Sequence, residues 1–123
     1  MLRTFYNVGT YLIIALGVIH LLFTPVAYSG LSINAMWFFA AGLAIVFAGF
    51  LNIAFMRLGK KDTAVWVLTE LANLSCLLLF ICAFFLLPAV QVYVGVILFA
   101  CETAFAFRSG KALSMQAATA GNE

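Results

Sequence analysis

The sequence predicts an all-α integral membrane protein, an antiparallel bundle of four transmembrane helices with both termini in the cytoplasm. Three observations predict it. The first is composition. Of 123 residues, 67% are hydrophobic and 8% charged, with a mean hydropathy of +1.19. A soluble domain carries roughly 25% charged residues, so a water-soluble fold of this chain would have little polar material for its surface. The second is Arg57-Leu58-Gly59-Lys60-Lys61-Asp62, the only dense cluster of charge between Thr4 and Glu70. A charged loop rests in water, so the apolar runs flanking it leave the aqueous side in pairs. The third is the placing of the six basic residues, Arg3, Arg57, Lys60, Lys61, Arg108 and Lys111. With four spans they all fall on one side, which the positive-inside rule makes cytoplasmic. A different number of spans would divide them.

The first span covers about residues 6–26. Arg3 followed by an apolar run also fits the start of a secretory signal, but the run is longer than a typical signal core and three more follow it. Pro25 stands where it can end the helix. The turn-rich, uncharged stretch Ala27 to Asn34 comes next, and Asn34 is placed to cap the second span, about 35–56. Tyr28 and Trp37 suit an interfacial aromatic belt. After the charged loop, Asp62 or Thr63 offers a cap for the third span, about 64–87, with Trp66 as a further interfacial anchor. The apolar stretch from Ala64 to Phe107 is about twice what one crossing needs at ~1.5 Å per residue, so it folds back. Leu87-Pro88-Ala89 makes the hairpin, with Pro88 in the first turn of the fourth span, about 88–107. Residues 1–111 form the bundle, and residues 112–123 read as a flexible cytoplasmic tail.

Small residues let helices approach in lipid. Ala40, Ala44 and Ala48 form such a stripe, with Gly42 and Gly49 on a neighbouring face, Gly9 and Gly17 on the first helix, and Gly95 and Ala100 on the fourth. Phe80, Phe84, Phe85, Phe99 and Phe105 read as a surface facing lipid or, alternatively, a lipid-like ligand. Cys76, Cys82 and Cys101 form no CxxC pair and read as small hydrophobes.

Ionisable groups inside a membrane are costly and mark candidate sites. Glu70 lies six residues, ~9 Å, into the third span, and Glu102 about five residues, ~8 Å, from the inner end of the fourth. Asn52 stands at a similar depth. Asn73 shares a helix face with Glu70, and Thr10 and Tyr11 come near the same level. Two carboxylates in one low-dielectric layer cannot both ionise cheaply. One that exchanges a proton suits a proton-coupled carrier of a cationic substrate, or a general acid or base. Alternatively, these groups hydrogen-bond to Asn52, Asn73 or Thr103 and join helices, or Glu102 reaches toward Arg108 and water. His20 lies in the outer half, more than ~10 Å in depth from that layer. Its ring either bonds neighbouring backbone or, with Thr24, meets the headgroup of a quinone or sterol.

No basic patch suits nucleic acid. There is no phosphate-binding glycine loop, nucleophile elbow or HExxH sequence. The single histidine leaves no metal set, and no cofactor is expected.

Size and span count are similar to the small multidrug-resistance exporters, four-helix dimers that use an intramembrane glutamate. That family's glutamate is on the first helix, where this chain has His20 and no acid, so no residue role carries across. The stretches His20-Leu-Leu-Phe-Thr-Pro25, Trp37-Phe-Phe and Gly42 to Asn52 resemble a group of small bacterial four-helix membrane proteins of unknown role. The resemblance implies a bacterial inner membrane and no activity.

The expected function is binding or proton-linked transport of a lipophilic or cationic small molecule, with Glu70, Glu102, Asn52, Asn73 and His20 as candidate ligand- or proton-binding residues. The alternative is a non-catalytic accessory subunit of a membrane complex. An enzyme acting on a lipid-soluble substrate is a third reading. The expected partners are the lipid bilayer and further copies of the chain or a membrane complex.

Overall fold

The computed structural model describes residues 2–58, 62–87 and 89–120, and side chains over 4–58, 62–87 and 89–110. Its four helices are α1 (Leu2–Ala27), α2 (Ile33–Leu58), α3 (Thr63–Leu86) and α4 (Val90–Ala120), and the described residues include no strand. The shortest, α3, has 24 residues, ~36 Å at ~1.5 Å per residue, against a hydrocarbon core of ~30 Å. All four are long and apolar enough to cross a membrane. Gly59, Lys60, Lys61, Pro88, the Arg3 and Lys111 side chains, and 121–123 lie outside the described residues.

Each helix packs on the next, and α1 closes the ring against α4. The most extensive seam joins α1 to α2. There a Cβ on Gly17 would stand 2.9 Å from the Gly42 carbonyl oxygen, and one on Gly49 would strike Ile14. Glycine is therefore what lets these two backbones meet. The alanine stripe does not make this seam: Ala48 is buried, but Ala40 and Ala44 are exposed. Their faces point away from α1, which approaches over the glycines instead.

The core also departs from the expected lipid-facing phenylalanines. Phe80 and Phe99 are buried and stack with centroids 5.6 Å apart, among Ile13, Leu16, Ile45 and Val92. Gly95 makes room for the Phe80 ring. Phe105 stacks on Tyr6 at 4.2 Å. Phe84 and Phe85 alone of the five are exposed.

The helix ends follow local chemistry. Asp62 caps α3 as expected, its carboxylate accepting from the backbone N–H of Ala64 at 2.9 Å and Val65 at 3.3 Å. Asn34 does not cap α2. Ser32 takes that place, its hydroxyl oxygen accepting from the Ala35 N–H at 3.1 Å, and Asn34 lies inside the first turn. Pro25 falls within the last turn of α1, which ends at Ala27. The Trp66 indole N–H donates to the Ala106 carbonyl at 3.0 Å across the α3–α4 seam. Trp37 is exposed at the start of α2. The α4 helix does not stop at Phe107 but continues to Ala120. The stretch read as a tail is rich in Ala, Leu, Met and Gln, all good helix formers.

Candidate functional site

Each helix turns three residues inward, in the order apolar, polar, apolar on all but α3. They read Tyr6-Thr10-Ile13 on α1, Phe55-Asn52-Ala48 on α2, Thr69-Asn73-Cys76 on α3 and Ala106-Glu102-Phe99 on α4, all buried. Spacings of three and four keep each set on one face of its helix. On α3 the residue nearest the charged loop is itself polar: the Thr69 hydroxyl sits 2.7 Å from the Val65 carbonyl and 3.2 Å from that of Leu51 on α2. Because neighbours run antiparallel, Thr10, Asn52, Asn73 and Glu102 meet in one layer between two apolar clusters.

The layer has two chemically different halves. One is the amide pair. The Asn52 amide donates to the Asn73 Oδ1 at 2.7 Å and to the Ala48 carbonyl at 2.8 Å, while its own Oδ1 accepts from the Asn73 amide at 2.9 Å and from the Tyr6 hydroxyl. A primary amide has two N–H donors and an oxygen with two lone pairs. Every one of these is used at Asn52. This half joins α1, α2 and α3 and leaves Asn52 nothing free for a ligand.

The other half is Glu102. It is only 2% exposed, so it does not reach toward Arg108, which is exposed. Its hydrogen-bonding partner is the Thr10 hydroxyl, 3.4 and 3.5 Å from the two carboxyl oxygens, at the long limit for an O–H donor. The Tyr6 hydroxyl is also within reach, but its single proton is engaged by Asn52. A buried carboxyl can accept about four hydrogen bonds or, protonated, donate one. Glu102 therefore has unused capacity where Asn52 has none. A Cβ on Gly9 would collide with Glu102 Oε1, so the carboxyl lies directly against the α1 backbone.

Glu70 is not packed into the same point. It is half-buried, one turn beyond Trp66 on the flank of α3 that faces α4. Its Oε2 is buried without a hydrogen-bond partner among the described residues. Antiparallel pairing of Trp66 with Ala106 places Glu70 at the depth of Glu102, as the sequence reading expected. Thr103 bonds its own helix, at the Phe99 carbonyl, and Tyr11 points outward, 61% exposed.

His20 stands apart, toward the α1–α2 loop. Its Nδ1 lies 3.2 Å from the Leu16 carbonyl, and its ring stacks on Phe38 at 4.8 Å. Thr24 bonds the His20 backbone rather than the ring. No group of three metal-ligating side chains occurs among the described residues.

Tyr6 is the member that sequence reading missed. A tyrosine near the end of a span reads as an interfacial anchor. The available signal was its four-residue spacing from Thr10 and seven from Ile13, which puts all three on one buried face. Neither a known protein family, nor a characterised protein, nor a solved structure matches this chain.

Proposed function

We propose that this chain is a four-span protein of the bacterial inner membrane, both termini cytoplasmic, that binds a lipophilic or cationic small molecule and exchanges it for a proton at Glu102. The observation that carries this reading is the contrast within the polar layer. A residue that only joins helices is expected to use its hydrogen-bonding capacity, as Asn52 does. Glu102 is just as deeply buried and has one long hydroxyl contact. A carboxyl with a proton and a carboxylate with a bound cation both have zero net charge. Either state fits an apolar surrounding, and the two exclude one another, which is the requirement for exchange. Glu70, with an oxygen that has no partner among the described residues, supplies a second acid on the α3–α4 side. The charge distribution supports the orientation, since Arg57 and Arg108 stand at the end to which the other basic residues are joined in sequence. A bundle this small encloses little volume, so passage across the membrane requires a homo-oligomer.

The test uses proteoliposomes loaded with ethidium and an imposed pH gradient. Gradient-driven ethidium efflux is expected from the wild type and not from Glu102→Gln, which keeps shape and loses the exchangeable proton. Efflux by Glu102→Gln equal to wild type would sink the reading. The accessory-subunit alternative has its own support in the Asn52–Asn73 pair, a structural joint in which Asn52 is saturated. On that reading Asn73→Ala disrupts assembly with a partner polypeptide, and Glu102→Gln changes nothing.

A further inference from the structure

Away from the Glu102 layer, a crevice of about 220 Å³ opens between the outer halves of α2, α3 and α4. It exists because α2 and α3 are joined by Asn52–Asn73 and Thr69–Leu51 nearer the charged loop, while toward the other end α2 presents the small side chains of Ala41 and Ala44 between Phe38 and Ile45. The walls are apolar, among them Leu79 and Phe80, and the polar lining side chains are His20 and Gln91. His20 belongs to α1 and reaches this place over Gly42, where a Cβ would stand 3.0 Å from the His20 Cβ.

The chemistry of His20 specifies the occupant. A carbonyl only accepts, so the contact with Leu16 requires the proton on Nδ1. In the neutral ring, Nε2 is then a bare acceptor. It has no hydrogen-bond partner among the described residues, and Phe38 covers one face of the ring. Among the described residues no charged side chain lines the crevice, which disfavours a phosphate headgroup. An apolar cleft with a few placed polar groups is the usual form of a small-molecule site.

We propose that the His20–Gln91 crevice is a binding site for a lipid-soluble phenol, a small aromatic whose hydroxyl donates to His20 Nε2 while its ring lies between Phe38, Leu79 and Phe80. The site is separate from Glu102 and does not depend on the exchange reading.

The chain has one histidine, so labelling histidine with nitrogen-15 gives a single imidazole to follow by NMR in lipid nanodiscs. The probes are 4-tert-butylphenol and its methyl ether, 4-tert-butylanisole, which lacks the donor. The phenol is expected to move the Nε2 resonance saturably, and the anisole to bind roughly three- to tenfold more weakly. Ala41→Phe and Ala44→Phe fill the crevice from positions exposed in the fold, and each is expected to abolish the shift while preserving the helical circular-dichroism spectrum. Glu102→Gln is expected to leave the shift unchanged. An unmoved Nε2 resonance, an equal response to the anisole, or full phenol affinity in either folded phenylalanine variant would overturn the assignment.

Discussion

Glu102 on α4 places its carboxyl where Gly9 on α1 has no side chain. The glycine is thus part of the acid's binding pocket and not only a point of close helix approach. Adding a methyl at Gly9 must displace the carboxyl, which is the mobile end of its side chain. The expected cost of Gly9→Ala is about 1–3 kcal/mol, the range for an overpacked core. In a Glu102→Ala background the obstruction is gone. There Gly9→Ala should be neutral or stabilising by about 0.5–1 kcal/mol, because alanine is the better helix residue. Reversible unfolding in mixed micelles, run as a double-mutant cycle, measures this. Additive costs would show that the two positions are not in contact.

Tyr6 connects the two halves of the layer. Its hydroxyl donates to Asn52, and its ring stacks on Phe105 and meets Phe55 edge-on. Tyr6→Phe keeps both ring contacts and removes one donor from a saturated oxygen. The expected loss is about 1 kcal/mol, whereas Tyr6→Ala also deletes the packing and should cost about 3–5 kcal/mol. Equal costs for the two variants would mean that the hydroxyl, not the ring, holds α1 in place.

The helix starts give a local test. Ser32→Ala removes the hydroxyl that accepts from the Ala35 N–H, and Asp62→Ala removes the acceptor for Ala64 and Val65. Each should lower stability by about 1 kcal/mol. Asn34→Ala should change it little, since Asn34 is exposed within the first turn. A larger loss from Asn34→Ala than from Ser32→Ala would return the cap to Asn34.

These residues also show what was legible in the sequence. Span number and the approximate depths of Glu70, Glu102, Asn52 and Asn73 follow from hydropathy and the ~1.5 Å rise of a helix, quantities the chain carries locally. Rotational facing does not. In a soluble helix the polar face marks the outside, but in lipid both the outside and the core are apolar. Composition therefore could not separate Phe99, which is fully buried, from Phe85, which is 79% exposed. Trp66 has an inward partner that composition could not reveal either. Its partner is a backbone carbonyl, Ala106, which carries no signature in sequence. The polar residues were the reliable guides to facing, because a group such as Asn52 is costly unless it meets a partner.

That dependence on partners leads to the sharpest expectation for the amide pair. Asn52 and Asn73 exchange two hydrogen bonds, at 2.7 and 2.9 Å. Removing either amide alone leaves the other buried and unsatisfied, at about 1–3 kcal/mol. Bonds between membrane helices are weaker on average, about 0.6 and at most about 1.7 kcal/mol, so the lower end is expected for Asn73→Leu. Asn52→Leu should cost more, because it also strands the Tyr6 hydroxyl. Replacing both amides by leucine removes the unsatisfied partner and substitutes groups of similar size. The double variant should therefore be more stable than the sum of the singles predicts, by about 1 kcal/mol or more. Strict additivity in the same unfolding assay would mean that the two side chains do not bond to each other. The layer would then be four separate polar residues rather than a joint with a free acid beside it.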